Sequence, residues 1–113
     1  MPELLLHPTL QNFQEYVKTL EEERGFTEQT SLQILLLLGE EVGELFRAVR
    51  KRENIAFSAQ TTSANLEEEL ADVFIYLLSI ANRYQLDLES AFRLKEEQNK
   101  KRVWEKNPKN HNS

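Results

Sequence analysis

GEEVGEL at residues 39–45 and EEELADVFIYLLSIA at residues 67–81 decide how this chain folds. Both lie in runs of good helix formers. Each places two carboxylates three residues apart, Glu41 with Glu44 and Glu69 with Asp72. Side chains at i and i+3 leave the same helical face, so each pair sends its oxygens in one direction. Glu41 also falls on an apolar stripe with Ile34, Leu37, Leu38, Leu45 and Ala48. The second pair opens the most apolar part of the chain, ADVFIYLLSIA at 71–81. Acids at core positions carry a desolvation penalty unless something neutralises them. Two facing helices with two acids each form a cage of oxygens, which suits a hard cation such as Mg²⁺. The competing account is a solvated charged face, since glutamate is common in helices. The aliphatic neighbours of Glu41 and the apolar run around Asp72 weigh against it.

The rest of the composition agrees with a helical chain. Its 113 residues, 13.3 kDa, fit one domain with a modest core. Only three glycines and three prolines interrupt a sequence rich in Leu, Glu, Lys, Gln and Ala. Cysteine is absent, which removes disulfides, thiolate nucleophiles and Cys-based zinc sites. Apolar runs such as Ile34–Leu38 are far too short to span a membrane. The start, MPELLLHP, lacks the basic region of a signal peptide, so a soluble cytoplasmic protein is expected, without membrane partners. The net charge of −5 argues against binding a nucleic-acid polymer. The charge is uneven, however. Lys95, Lys100, Lys101, Arg102, Lys106 and Lys109 gather near the C-terminus, where a small polyanion finds a local excess of cations.

Four helices are expected. The first runs from about Thr9 to Glu23, with Leu10, Phe13, Val17 and Leu20 as its buried stripe and Gly25 as its stop. The second runs from about Glu28 to Lys51, with Thr27 as N-cap. Gly39 and Gly43 lie inside it, serving either close helix packing or room for a ligand. Asn54–Ser63, NIAFSAQTTS, reads as the one real loop, with Ile55 and Phe57 as anchors rather than a base pocket. The third helix runs from about Ala64 to Arg83. It is apolar on nearly all sides from Leu70 to Ala81, which marks a central helix in need of a partner subunit. The fourth starts at Asp87, with Ser90 at the third position, and runs to about Glu105. Its apolar stripe, Leu88, Ala91 and Phe92, continues as Lys95, Asn99 and Arg102. Residues 107–113, NPKNHNS, read as a disordered tail after a domain of residues 1–106.

Several chemistries are excluded. A di-iron bundle needs two Glu-x-x-His motifs, and the two histidines, His7 and His111, sit near the termini outside any such motif. No Ser-His-Asp or Cys-His set can be assembled, and no P-loop or G-x-G-x-x-G is present. Lys100 and Lys101 suit the negative end of a helix dipole without any ligand. Lys95, Asn99 and Arg102 are less well explained that way, because they continue a core-facing stripe.

These residues carry a family resemblance. LLGEEVGELFRAV, then a loop, then LEEELADVFIYLLSIANRYQLDLESAFRLKEEQNKKRVW resembles the MazG-like nucleotide pyrophosphohydrolases, from about Leu36 to Trp104. QNFQEYVKTLEEERGF is similar to that family's first helix. The combination of ExxE, a spacer, ExxD and a helix bearing Lys, Asn and Arg is specific where either half alone is not. The resemblance implies a four-helix all-α bundle completed by dimerisation, as a homodimer or a tetramer of paired dimers. It implies Mg²⁺, with Mn²⁺ as a substitute, on Glu41, Glu44, Glu69 and Asp72. It implies cleavage of a nucleoside triphosphate to monophosphate and pyrophosphate, a reaction suited to house-cleaning of nucleotide pools. Lys95, Asn99 and Arg102 match positions that approach the phosphates, and Glu40, with Glu41, is positioned to orient or deprotonate water. Dimeric dUTPases and phosphoribosyl-ATP pyrophosphohydrolases share the acid logic. They stand as alternative activities, beside a catalytically weak nucleotide-binding module.

Overall fold

The computed structural model describes residues 2–55 and 65–110. Its architecture is all-α: α1 (Leu10–Arg24), α2 (Ser31–Arg52), α3 (Leu66–Arg83) and α4 (Leu88–Asn110), with a 3₁₀ turn at Phe26–Glu28. α1 starts where Thr9 and Asn12 form a reciprocal capping box, at 3.1 and 2.8 Å. It stops at Gly25, whose φ of 73° is the left-handed conformation that favours glycine.

α2 begins three residues later than the sequence suggests. Its cap is Thr30, not Thr27, and Gln33 closes a second capping box at 2.8 and 3.1 Å. Thr27 has no Glu or Gln three residues on, whereas Thr30 does. The intervening 3₁₀ turn is held instead by Arg83, whose guanidinium donates to the carbonyls of Phe26 and Gln29. α3 is capped by Asn65, which accepts from the Glu68 N–H at 3.1 Å. Glu67, Glu68 and Glu69 in its first turn complement the helix dipole. Before α4, Asp87 accepts from the Ser90 hydroxyl at 2.6 Å. α4 continues past the expected end at Glu105 to Asn110. The last residues of the expected tail, 111–113, and the loop residues 56–64 lie outside the described residues.

α2 and α3 lie antiparallel: Glu41 sits opposite Glu69 and Asp72, while Leu45 and Val49 share a groove with Leu66 and Leu70. α1 crosses α3, with Phe13 meeting Phe74 edge to face at 5.5 Å between ring centres. The buried core is small: Val17, Leu20, Ile34, Ala48, Leu78 and Ala81. Gln14 is buried among them and was not evident from periodicity. Its amide donates to Asn82 Oδ1 at 3.1 Å and to the Leu86 carbonyl at 2.9 Å, and its Oε1 accepts from Leu88 N–H at 2.9 Å. With every polar atom placed, this one side chain ties α1 to the end of α3 and the start of α4.

α3 is central, but one chain covers it only partly. Leu70, Phe74, Ile75 and Leu77 remain exposed, as do Leu32, Leu35, Leu36 and Phe46 of α2. α4 packs against α1 and has no comparable packing against α2 or α3. The radius of gyration is 18.2 Å, against about 13 Å for a compact 100-residue domain. Among the described residues, a side chain added at Gly39 or Gly43 would meet no atom within 4 Å beyond its own stretch of helix. Close packing against another described helix therefore does not account for either glycine on the acid-bearing helix.

Candidate metal centre

The antiparallel register of α2 and α3 brings three of the four paired acids together. One oxygen each from Glu41, Glu69 and Asp72 lies within 4.8 Å of the others. Glu69 and Asp72 share a face of α3 by their three-residue spacing, and Glu41 meets them from the apolar stripe of α2. That stripe is seated as expected, since Ile34 and Ala48 are buried while Leu37, Leu38 and Leu45 are half-buried.

Electrostatics mark Glu41 within the cluster. Its carboxyl is raised from 4.5 to about 7, first by burial, then by a hydrogen bond with Glu69 and by the charge of Asp72. Close to neutral pH the protein is thus placed to hold a proton where a cation is lacking. The charges that act on Glu41 are those of Glu69 and Asp72, and no Lys or Arg among the described residues is set against it as a counter-ion. An all-oxygen donor set with an unmet demand for positive charge fits a hard divalent cation.

Glu44 is not in this group. It pairs with Arg47 at 3.2 Å, one turn along α2. Glu40 is exposed on α2, and its charge is felt at the phenol of Tyr76. Tyr76 was missed by the sequence reading. Burial first, then the charges of Glu41, Asp72, Glu40 and Glu21, raise its hydroxyl above the ordinary tyrosine value. It belongs to a polar stripe that recurs every three or four residues along α3: Glu69, Asp72, Tyr76, Ser79 and Arg83. Ser79 is fully buried and donates to Glu21 of α1 at 2.5 Å. Arg83 lies 4.0 Å from the same carboxylate. Spacing alone could have revealed this stripe, but the segment reads as apolar on all sides when only its composition is weighed.

Lys95, Asn99 and Arg102 lie on α4, and the fold of one chain does not bring them to the acids. Lys95 and Arg102 are exposed, and neither forms an ion pair among the described residues. His7 is exposed, and His111 lies outside the described residues. Ile55 lines the apolar groove of Leu45, Phe46, Val49, Leu66 and Leu70 while remaining half open to solvent. Phe57 lies outside the described residues. No described helix is long and apolar enough to cross a membrane.

Comparison with known proteins points the same way. A sequence model of the MazG nucleotide pyrophosphohydrolase domain matches residues 29–105, which include Glu40, Glu41, Glu44, Glu69 and Asp72 together with Lys95, Asn99 and Arg102 of α4. The chain is similar to the crystal structure of iMazG from Vibrio DAT 722, at 29% identity and a TM-score of 0.60, over 81% of this chain and 98% of that one. No curated protein matches it.

Proposed function

The chain belongs to the MazG nucleotide pyrophosphohydrolase family, and from that premise we propose that it hydrolyses a nucleoside triphosphate to the monophosphate and pyrophosphate with the help of Mg²⁺. The observation that carries this reading is the meeting of Glu41, Glu69 and Asp72, with Glu41 raised to about 7, inside the matched domain. These three acids are the proposed metal ligands, and Glu44 is the fourth once it leaves Arg47. Bound there, Mg²⁺ or Mn²⁺ supplies positive charge against that building on the phosphates. Glu40 and Glu41 are the proposed residues that orient a water and accept its proton. Its oxygen attacks the α-phosphorus, and the bond from that phosphorus to the α–β bridging oxygen breaks. Pyrophosphate leaves. Lys95, Asn99 and Arg102 bind the phosphates. The chain mainly positions the reactants and arranges charge.

In water enriched in ¹⁸O, label is expected in the nucleoside monophosphate, with unlabelled pyrophosphate. Release of orthophosphate and nucleoside diphosphate would defeat the proposal. A panel of nucleoside triphosphates, with dUTP and phosphoribosyl-ATP included, identifies the preferred base and sugar.

The same reading includes a homodimer or a tetramer of paired dimers. The exposed apolar side chains of α2 and α3, and the spread of the chain beyond a compact radius, support it. Light scattering at micromolar concentration is expected to return at least twice the chain mass of 13.3 kDa. A mass equal to one chain would contradict it.

A further inference from the structure

Glu41 is the acid that α2 brings to the metal centre, yet α2 is only loosely locked around it. Between Ile34 and Ala48 no side chain of that helix is fully buried. Gly39 and Gly43 flank Glu41 and offer no side chain to interlock with α3. A helix that slips by one residue shifts its side chains by about 1.5 Å and turns them by about 100°. Mg²⁺ takes its oxygens at about 2.0–2.1 Å in a near-octahedral array. A slip of one residue would therefore remove Glu41 from the ligand set, and contacts outside this stretch must fix α2 against α3.

Those contacts are at the start of α2. Arg83, the last residue of α3, donates through Nη2 to the Phe26 carbonyl at 3.0 Å and through Nη1 to that of Gln29. Both carbonyls belong to the turn that leads into α2, and Gln29 directly precedes its cap, Thr30. Glu21 of α1 meets the same guanidinium, with Oε1 4.0 Å from Nη2. Its Oε2 accepts from Ser79 Oγ at 2.5 Å. The Arg83 and Glu21 side chains are largely buried, at 16% and 13% exposure. A planar guanidinium can serve two carbonyls and a carboxylate at once, whereas an ammonium is a point charge without that fork. Arg83 thus pins the entry of α2, and α1 with it, to one place on α3.

The clamp and the metal centre are equally spaced along the two helices. Arg83 lies eleven positions after Asp72 on α3, and Glu41 lies eleven positions after Thr30, the cap of the antiparallel α2. Each path is about 16–17 Å at 1.5 Å per residue. Holding the cap of α2 beside Arg83 therefore brings Glu41 level with Asp72. Tyr76 stands between the two clusters on the same face of α3, where the charges of Glu41, Asp72 and Glu21 all reach its phenol. We infer that Arg83, oriented by Glu21 and Ser79, is a positioning residue for the metal centre: it fixes the register of α2 on α3 and so delivers Glu41 to Glu69 and Asp72. This rests on the metal-binding reading above and adds to it what sets the geometry of the ligands.

Metal affinity in the folded protein tests this, because a residue that only adds stability does not change it. Mg²⁺ binding is measured by calorimetry for wild type, Arg83→Lys, Ser79→Ala and Gln14→Leu, each at a temperature where circular dichroism shows it fully folded. Arg83→Lys keeps the charge and loses the fork. It should bind Mg²⁺ about 10–100-fold more weakly, the scale of a residue that supports a ligand. Ser79→Ala removes one hydroxyl and no charge. It should weaken binding about threefold or more, and it carries the test if Arg83→Lys does not fold. Gln14→Leu is the control, since the hydrogen bonds of that side chain run to the end of α3 and the start of α4, and none runs to α2. It should melt lower and bind Mg²⁺ as wild type does. Wild-type affinity in Arg83→Lys, or in Ser79→Ala where that variant stands in, would overturn the inference. An equal loss of affinity in Gln14→Leu would overturn it too, as general loosening would then explain the effect. A wild type that binds neither Mg²⁺ nor Mn²⁺ would refute the metal centre and the inference together. Binding that depends on Arg83 in a protein that cleaves no nucleotide would refute the hydrolytic reading alone and leave the positioning role standing.

Discussion

Glu69→Gln is expected to abolish nearly all turnover while raising the melting temperature of the metal-free protein. The amide keeps the shape of the side chain and a hydrogen bond to Glu41, and it removes one of three negative charges that meet within 4.8 Å. Without metal, those charges repel one another, and Glu41 answers by holding its proton up to about pH 7. Relief of that repulsion is worth about 1 kcal/mol after solvent screening, which corresponds to roughly 4–8 °C for a domain of this size. Activity moves the opposite way. Loss of a metal ligand should exceed the roughly 10–100-fold effect of removing a residue that merely supports one. The variant should also gain less from added Mg²⁺ than wild type. Thermal melts of both proteins, with Mg²⁺ and with a chelator, give the decisive comparison. If Glu69 were instead a structural salt-bridge partner, the variant would melt lower without metal and keep its Mg²⁺ response.

The fold was legible because its signals are local and repeated. Thr9 with Asn12, Gly25, Asp87 with Ser90 and the stripe through Ile34 and Ala48 each announce their element within one or two turns. The start of α2 was misplaced because two threonines, Thr27 and Thr30, compete for the cap. The decision falls to Gln33 and to Arg83, which is distant in sequence yet holds the 3₁₀ turn between them. The acids were legible as two pairs, since i,i+3 spacing needs no knowledge of the fold. That Glu41, Glu69 and Asp72 meet while Glu44 turns to Arg47 depends on the register of α2 against α3, which sequence periodicity does not specify. Tyr76 and Ser79 were hidden for another reason. They are a phenol and a hydroxyl within an apolar run; the acid that Ser79 donates to, Glu21, and the charge of Glu41 that acts on Tyr76 both come from other helices. The cations of α4 were recognised as a stripe. Their distance from the acids is a property of how α4 leaves the bundle, and only the three-dimensional arrangement shows it.

The metal-free protein is expected to lose stability as pH rises from about 4.5 to about 7, and Mg²⁺ to act most strongly above that window. Glu41 has a folded value of about 7 against an ordinary value of 4.5. Between these limits the native state holds a proton that the unfolded chain has released, so unfolding becomes easier with each increment of pH. The contribution is fully present below 4.5, and it is lost as pH passes through 7. A divalent cation reverses the dependence, because its ligands must be deprotonated before they can bind it. Below about pH 7 the metal competes with the Glu41 proton, and its apparent affinity should fall by about tenfold per pH unit for one displaced proton. Since a ligand of the native state adds RT ln(1 + [L]/Kd), the Mg²⁺ increment in melting temperature should be small at pH 5.5 and large at pH 8. Melts across this range at fixed protein concentration, with chelator and with millimolar Mg²⁺, read both slopes. Glu69→Gln should flatten both, since it removes the hydrogen-bonded acid that helps to hold the proton on Glu41. A metal-free stability that rises through the window, or a Mg²⁺ increment independent of pH, would place the proton elsewhere and remove Glu41 from the proposed ligand set.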